Sequence, residues 1–376
     1  MSSPAPRAAR ISIIGGGPGG LTCARILQRH GVEVSVYEHD TDAGARNQGG
    51  TLDLRADDGQ IALRRAGLLD EFFTLARPEG QENRNLGLDG TVLRQDIPAE
   101  GDLFKPEIDR GRLRTMLLGS LRPSTVRWGH TLKSVSGPVD GPRTLHFADG
   151  TTTETDLVIG ADGAFSRVRP AVSATVPRYT GITFLEAWFD DVDNRHAELS
   201  ELVGQGLASA DDGERRIFAQ RNSDGHIRAY LMQHAPVDWI TSAGLNIDDT
   251  DELRAHLLEK FATWSPRMQQ MITDNDGPYV DRPIFVLPAP FDWNHNPAVT
   301  LLGDAAHLMP PFGVGANLAM LDASDLAFAL TSASTVDDAL DAYEKKMFAR
   351  ANKAAEMFAD FLIAAAGRGH GREDSL

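Results

Sequence analysis

The apolar residues first form a short run at Arg10–Ile14, then recur at helical spacing, then form a run again. The first run predicts a buried strand. Leu21, Ala24, Ile26 and Leu27 predict a helix over Pro18–His30. Gly31 ends it, because glycine accepts the left-handed turn after a last helical residue. Val32–Glu38 is rich in β-branched residues and predicts a second strand, completing a βαβ unit.

Further along, Gln60–Gly67 predicts a helix, and Leu88-Asp89-Gly90-Thr91 predicts a hairpin within Leu86–Arg94. Arg110–Leu121 places Leu113, Met116, Leu117 and Leu121 on one helical face. Val126–Thr155 predicts a β-meander, and Asp156–Gly160 a buried strand. From Thr180 to Gln233 the strands lengthen, with a hairpin of Arg216–Arg221 and His226–Gln233 about Asn222–Gly225. Asp249–Phe261 is an amphipathic helix, and Ile284–Leu287 and Val299–Leu302 are strands. Gly315–Leu330 and Val336–Phe361 are helices, and the polar tail Gly367–Leu376 is expected to be disordered. No linker or repeat separates these parts, so the second domain is inserted in the first. The expected fold is α/β: a Rossmann-like domain (1–75, 103–170 and 281–330), an inserted, mostly antiparallel sheet domain (76–102 and 171–280), and a long C-terminal bridging helix (331–366).

Composition narrows the partners. The 376 residues carry a formal net charge of −16, which argues against nucleic acid or an anionic membrane as the main partner. Cys23 is the one cysteine, so no intrachain disulfide forms. It is expected to be a buried filler. There is neither a signal peptide's apolar core nor an apolar run long enough to span a membrane. A cytoplasmic monomer acting on a small molecule is expected.

The turn Gly15-Gly16-Gly17-Pro18-Gly19-Gly20 fits G-x-G-x-x-G between a strand and a helix. Gly15 permits the tight turn, Gly17 lets backbone approach a pyrophosphate, and Gly20 lets the helix sit close to the sheet. The helix N-terminus offers free N–H groups and a partial positive charge. Glu38, at the end of the next strand, falls where a ribose hydroxyl pair would lie. An acid there disfavours a 2′-phosphate, so this site is expected to hold FAD or NAD.

Two later elements go beyond a plain dehydrogenase. Asp162-Gly163 ends a buried strand, with Ser166, Arg167 and Arg169 following. The stretch Leu301–Asn317 delivers Asp304 to a loop holding Pro310, Pro311, Gly313 and Gly315, then starts a helix. Asp304 suits a polyol such as a ribityl chain, and the helix start suits a negatively charged ring. His307 is expected to be a structural hydrogen-bonder.

In this order, the three elements resemble the class A FAD monooxygenases, the single-component aromatic hydroxylases, over roughly residues 10–350. Val34–Glu38, Gly49–Leu54, Lys105–Arg110 and Gly303–Phe312 most resemble the tetracycline-inactivating flavin monooxygenases. The resemblance implies FAD, with NADPH or NADH as co-substrate and O₂ as oxidant. It places Glu38 on the FAD ribose, Arg110 at the ribityl or pyrophosphate region, Asp304 on the ribityl chain and Asp53 near the flavin. It places Arg46 where NADPH reacts, and Asp162-Gly163 in a fingerprint tied to both nucleotides. Gly315 and Asn317 belong to its flavin loop. That loop departs from the commoner Gly-Gln-Gly-x-Asn: it reads Gly313-Val314-Gly315-Ala316-Asn317.

The flavin would carry the chemistry, so no catalytic triad or metal cluster is required, and none is identified. Glu186, Phe218, Gln220, Arg228, Pro311, Phe312 and Gly313 are the expected substrate contacts, with Met232 a further wall residue. The expected activity is hydroxylation of a polycyclic phenol or enol, tetracyclines included. The alternatives are a tailoring hydroxylase of aromatic polyketides, a flavin-linked reductase, and a flavoprotein that only sequesters a drug.

Overall fold

The computed structural model describes residues 5–46 and 48–368, with side chains through residue 359. Its parallel sheet comprises β1 (Ile11–Ile14), β2 (Val34–Tyr37), β7 (Val126–Arg127), β11 (Leu157–Gly160) and β17 (Val299–Leu301). Their order is β17-β11-β1-β2-β7. β1 and β11 are buried throughout, as a parallel sheet covered on both faces requires. Helices Pro18–Arg29 and Gly315–Ser332 pack against each other beside it. Cys23 is fully buried, and that burial pushes its thiol up to about 12.

The second large sheet is mostly antiparallel. It comprises β4 (Asn83–Leu86), β5 (Val92–Asp96), β12 (Arg178–Phe189), β13 (Leu207–Asp211), β14 (Arg216–Arg221), β15 (Ile227–His234) and β16 (Val280–Val286), in the order β16-β12-β15-β14-β13-β4-β5. Leu185, Ala187, Phe189, Ile217, Ala219, Ala229 and Leu231 fill a core on one face with helices Thr250–Lys260 and Pro266–Thr273. The alternate positions face the other way. A small meander of β8 (Leu132–Ser136), β9 (Arg143–Phe147) and β10 (Thr152–Thr155) and a two-stranded ribbon of β3 (Thr51–Asp53) and β6 (Glu107–Asp109) complete the strands.

Four expectations shift. Val126-Arg127 leaves the meander and pairs in parallel with β2. The strand expected at Ile284–Leu287 begins at Val280 and pairs with β12, so the return to the first layer comes after Val286 rather than at residue 281. Two short helices, Val192–Arg195 and Ala197–Val203, interrupt the stretch expected to be all strand. The last helix runs from Val336 through Arg368, two residues into the expected disordered tail. The rest of that tail lies outside the described residues. This helix packs on Gly315–Ser332 and reaches β12, so it touches both layers. No described helix is long and apolar enough to cross a membrane.

Candidate cofactor and substrate site

The glycine turn divides into positions the fold needs and one it leaves open. A Cβ on Gly15 would lie 2.3 Å from the Ala161 carbonyl oxygen, and Gly15 already has φ +108°. A Cβ on Gly20 would lie 2.1 Å from the Gly15 oxygen. Both clashes are with backbone, which no rotamer relieves. A Cβ on Gly17 would meet nothing within 4 Å. Gly17 is also the N-cap of helix Pro18–Arg29, with no side-chain cap over the free N–H groups. The turn is therefore open where a pyrophosphate would lie.

Glu38 is buried at the end of β2 and accepts from Gly16 N at 2.5 Å and Asp40 N at 3.1 Å. It thus reaches the turn. Asp40, which the sequence reading missed, takes Arg46 Nε at 3.0 Å and Arg114 Nη2 at 3.1 Å. Arg114 also donates to the Gly16 carbonyl. Arg46 thus stands beside Glu38, through Asp40. Glu38, His39 and Asp40 bring ligand-type atoms within 4.8 Å of one another, but two guanidinium groups already occupy Asp40, so they form an ion-pair network. Arg114 is buried on the same helical face as Leu113 and Leu117.

Asp162 caps the turn after β11: Oδ2 accepts from Arg167 N at 2.7 Å and Val168 N at 3.3 Å. Its Oδ1 is buried with no partner, and burial raises the pKa of the carboxyl. Arg169 donates to the carbonyls of Ala164 (2.8 Å), Ala305 (2.8 Å) and Asp304 (3.1 Å). It therefore staples the second motif to the third, and burial lowers its pKa.

Asp304 begins the short helix after β17. Its side chain is open to solvent, yet the surrounding protein desolvates it enough to raise its pKa. Solvent contact combined with desolvation fits a carboxylate set in a recess of the surface. Arg110 and Arg169 are close enough to oppose that rise. Beyond Asp304 the loop is held from behind. His307 Nε2 and Asp322 Oδ2 lie 2.5 Å apart in full burial. Burial disfavours the imidazolium, but Asp322 outweighs it and raises the pKa of His307. His307 is thus a structural partner, as expected. Asn317 knots the loop: Nδ2 donates to the carbonyls of Asp53 (2.7 Å) and Gly313 (3.2 Å), and Oδ1 accepts from Arg55 N (2.9 Å) and Gly59 N (3.2 Å). Its amide is fully used within the protein. Helix Gly315–Ser332 starts here with no side-chain cap.

Asp53 lies against this loop, its Oδ1 3.5 Å from where a Gly313 Cβ would stand. Directly across the ribbon is Glu107, a residue the sequence reading left without a role. Thr51 Oγ1 donates to Glu107 at 2.8 Å. Burial first, then the mutual repulsion of the two acids, pushes Glu107 up to about 7. Burial pushes Asp53 up to about 6.

The register of the large sheet puts Glu186, Phe218, Gln220 and Arg228 on one face, opposite the core. Phe184 and Tyr230 share it, with ring centroids 6.1 Å from Phe218 to Phe184 and 6.4 Å from Phe184 to Tyr230. Glu186 pairs with Arg228 and, at 3.0 Å, with Arg282; Arg228 lies 4.2 Å over the Trp188 ring. Gln220 Nε2 is buried without a partner. The face looks toward the first layer: a Cβ on Gly50 would lie 3.1 Å from the Tyr230 hydroxyl. Pro311 and Phe312 join Phe184 and Met232 in a small apolar pocket. A larger cleft of about 1010 Å³ is lined by Gln48, Gly49, Asp109, Arg112, Trp188 and His226. None of Gly15–Gly20 lines it.

Three observations fit FAD: the open position at Gly17, the unpartnered Asp162 Oδ1, and the desolvated but open Asp304. The chain is similar to monooxygenase penA of Penicillium thymicola, at 31% identity with 93% of each chain covered. In structure it is similar to HpxO of Klebsiella pneumoniae complexed with FAD and uric acid, with a TM-score of 0.79 at 23% identity, covering 97% of this chain and 90% of that one. It is also similar to tetracycline destructase Tet(51), with a TM-score of 0.68 at 20% identity, covering 93% and 88%. The profile of the FAD binding domain family matches residues 8–269 and 291–358. The chain belongs to that family, the class A flavin monooxygenases, and is a flavin-dependent oxidoreductase.

Proposed function

We propose that the protein is an NAD(P)H-dependent hydroxylase of a flat, polycyclic phenol or enol. The observation that carries this reading is the sheet face that looks toward the flavin loop: an aromatic cluster bordered by buried charge. Bound FAD supplies oxygen transfer from O₂ after reduction by a nicotinamide. The chain's own residues position and exclude water. Gly17 and the bare helix start take the pyrophosphate, Gly15 and Gly20 hold the turn and helix close enough for it, and Glu38 takes the ribose. Asp162 and Asp304 accept from the cofactor's hydroxyls, Arg110 approaches from the opposite wall, and Asp53 and Gly315 border the ring. Phe218 packs on the substrate, and Glu186, Gln220 and Arg228 read its polar groups. Pro311, Phe312 and Gly313 close the wall and keep water out. The cleft at Gln48, Gly49 and Arg112 gives the reductant a route to the ring edge.

Likeness to Tet(51) puts tetracyclines among the candidates. Likeness to penA supports a tailoring monooxygenase equally well. The test is a mass-spectrometric screen of polycyclic phenols and tetracyclines with FAD-loaded enzyme, NADH or NADPH, and O₂. A product one oxygen heavier, with compound-stimulated O₂ uptake, is the expected result. Binding without turnover would instead indicate sequestration and overturn the reading.

A further inference from the structure

We propose that two copies of this chain pair edge to edge through β5, antiparallel, forming one continuous sheet. β5 ends the strand order and, among the described residues, pairs with β4 alone. All its residues are exposed. Leu93 is 70% exposed, and Ile97, just past the strand, is 71% exposed. Scattered exposed apolar residues need no explanation, but a row of them along an open edge is a template for another strand.

The sequence of the edge identifies its partner. In an antiparallel pairing centred on Gln95, Arg94 of one copy stands opposite Asp96 of the other, and Leu93 stands opposite Ile97. The same contacts recur on both sides of the two-fold axis, which is what a closed, isologous dimer needs. A strand from another protein would have to reproduce this charge order, whereas a second copy carries it already. Within one copy, Arg94 and Asp96 pair at 2.9 Å while 69% and 56% exposed. Exposed pairs contribute little, so exchanging it for two pairs between copies costs little. The interface is short, so the dimer is weak and concentration-dependent. This departs from the monomer expected from the sequence and does not depend on the proposed substrate.

The test is sedimentation velocity of the FAD-loaded protein from low to several hundred micromolar. Physiological ionic strength screens the repulsion between chains of net charge −16. A monomer–dimer equilibrium is expected. Leu93→Lys should raise the dimer Kd more than about tenfold, Arg94→Asp about tenfold, and Arg94→Asp with Asp96→Arg should return it to within about threefold of the parent. Flavin content and circular dichroism confirm that each variant is folded. A monomer at every concentration overturns the proposal. So does a dimer indifferent to Leu93→Lys, or a charge-exchanged variant that fails to recover.

Discussion

The parallel layer and the large antiparallel sheet handle buried polarity in opposite ways. In the first, the two acids that face the nucleotide motifs are met by backbone, Glu38 by Gly16 N and Asp162 by Arg167 N and Val168 N, and the ion pairs of Asp40 stand behind them. In the second, charge is met by charge, as Glu186 holds Arg228 and Arg282. A site made of backbone geometry depends on glycines, helix starts and strand ends, and these occur at fixed spacing. A site made of side chains on a sheet face depends on which strands are neighbours. Any face of the right register would carry it.

The contrast is broken most severely at Gly20. Gly20→Ala drives a Cβ onto the Gly15 carbonyl, and only separating the helix from the sheet relieves it. The expected cost is at least about 3 kcal/mol, the upper end for overpacking, and both apoprotein stability and FAD binding fall. Gly17→Ala has open space. Its apoprotein should melt with the parent, and only FAD affinity should drop. Thermal melts with and without FAD distinguish the two; equal losses of apoprotein stability would show that the open position is not a ligand cradle.

Asp304→Ala comes next. Among the described residues this carboxylate accepts no backbone hydrogen bond of the kind Glu38 has, so removing it should leave the fold intact. FAD affinity should fall by about ten- to a hundredfold, the worth of a charged hydrogen bond. Flavin retained through purification at the parental level would refute the assignment.

On the sheet, Glu186→Gln removes the carboxylate from between two guanidinium groups. Breaking a fully buried pair costs about 3–5 kcal/mol. Arg282 is half exposed here, so about 1–2 kcal/mol is expected. Flavin content should not change, while the ranking of substrates should. An unchanged ranking would make the triad a structural brace.

The same contrast explains what was legible in the sequence. Gly15–Gly20, Glu38, Asp162 and the Asp304 loop announce themselves because each is a local chain event. Asp40 and Arg114 were not legible, since their meeting needs a helix from residues 110–119 packed against helix Pro18–Arg29, so that it reaches the chain just past β2. Glu107 was read only as part of a resemblance, because facing Asp53 requires the register of β3 on β6. The strand at Val280–Val286 was misplaced for a like reason: its membership in the large sheet is decided by β12, about a hundred residues earlier.

The smallest effect sits where the two regions meet, at Asp53 and Glu107. Acids directly opposite on an antiparallel pair repel, and here burial adds to the penalty for ionising both. Lys105 opposes the shift in both, Arg77 opposes it in Glu107, and Arg55 in Asp53, while Asp58 adds to it in Asp53. Both folded pKa values, about 6 and about 7, lie above those of the unfolded chain. The folded state therefore binds more protons than the unfolded chain between roughly pH 4 and 7. The stability this pair allows is fully present below the unfolded pKa values and is lost as pH rises through 6 and 7. Glu107→Gln removes one ionisation and its repulsion. It should leave the apoprotein melting temperature near the parental value at pH 5 and raise it by a few degrees at pH 8. If the gain is equal at both pH values, the effect is packing, and the two acids do not share a titration. If it appears only at the higher pH, the ionisation of Glu107 beside Asp53 is what costs the folded protein stability there.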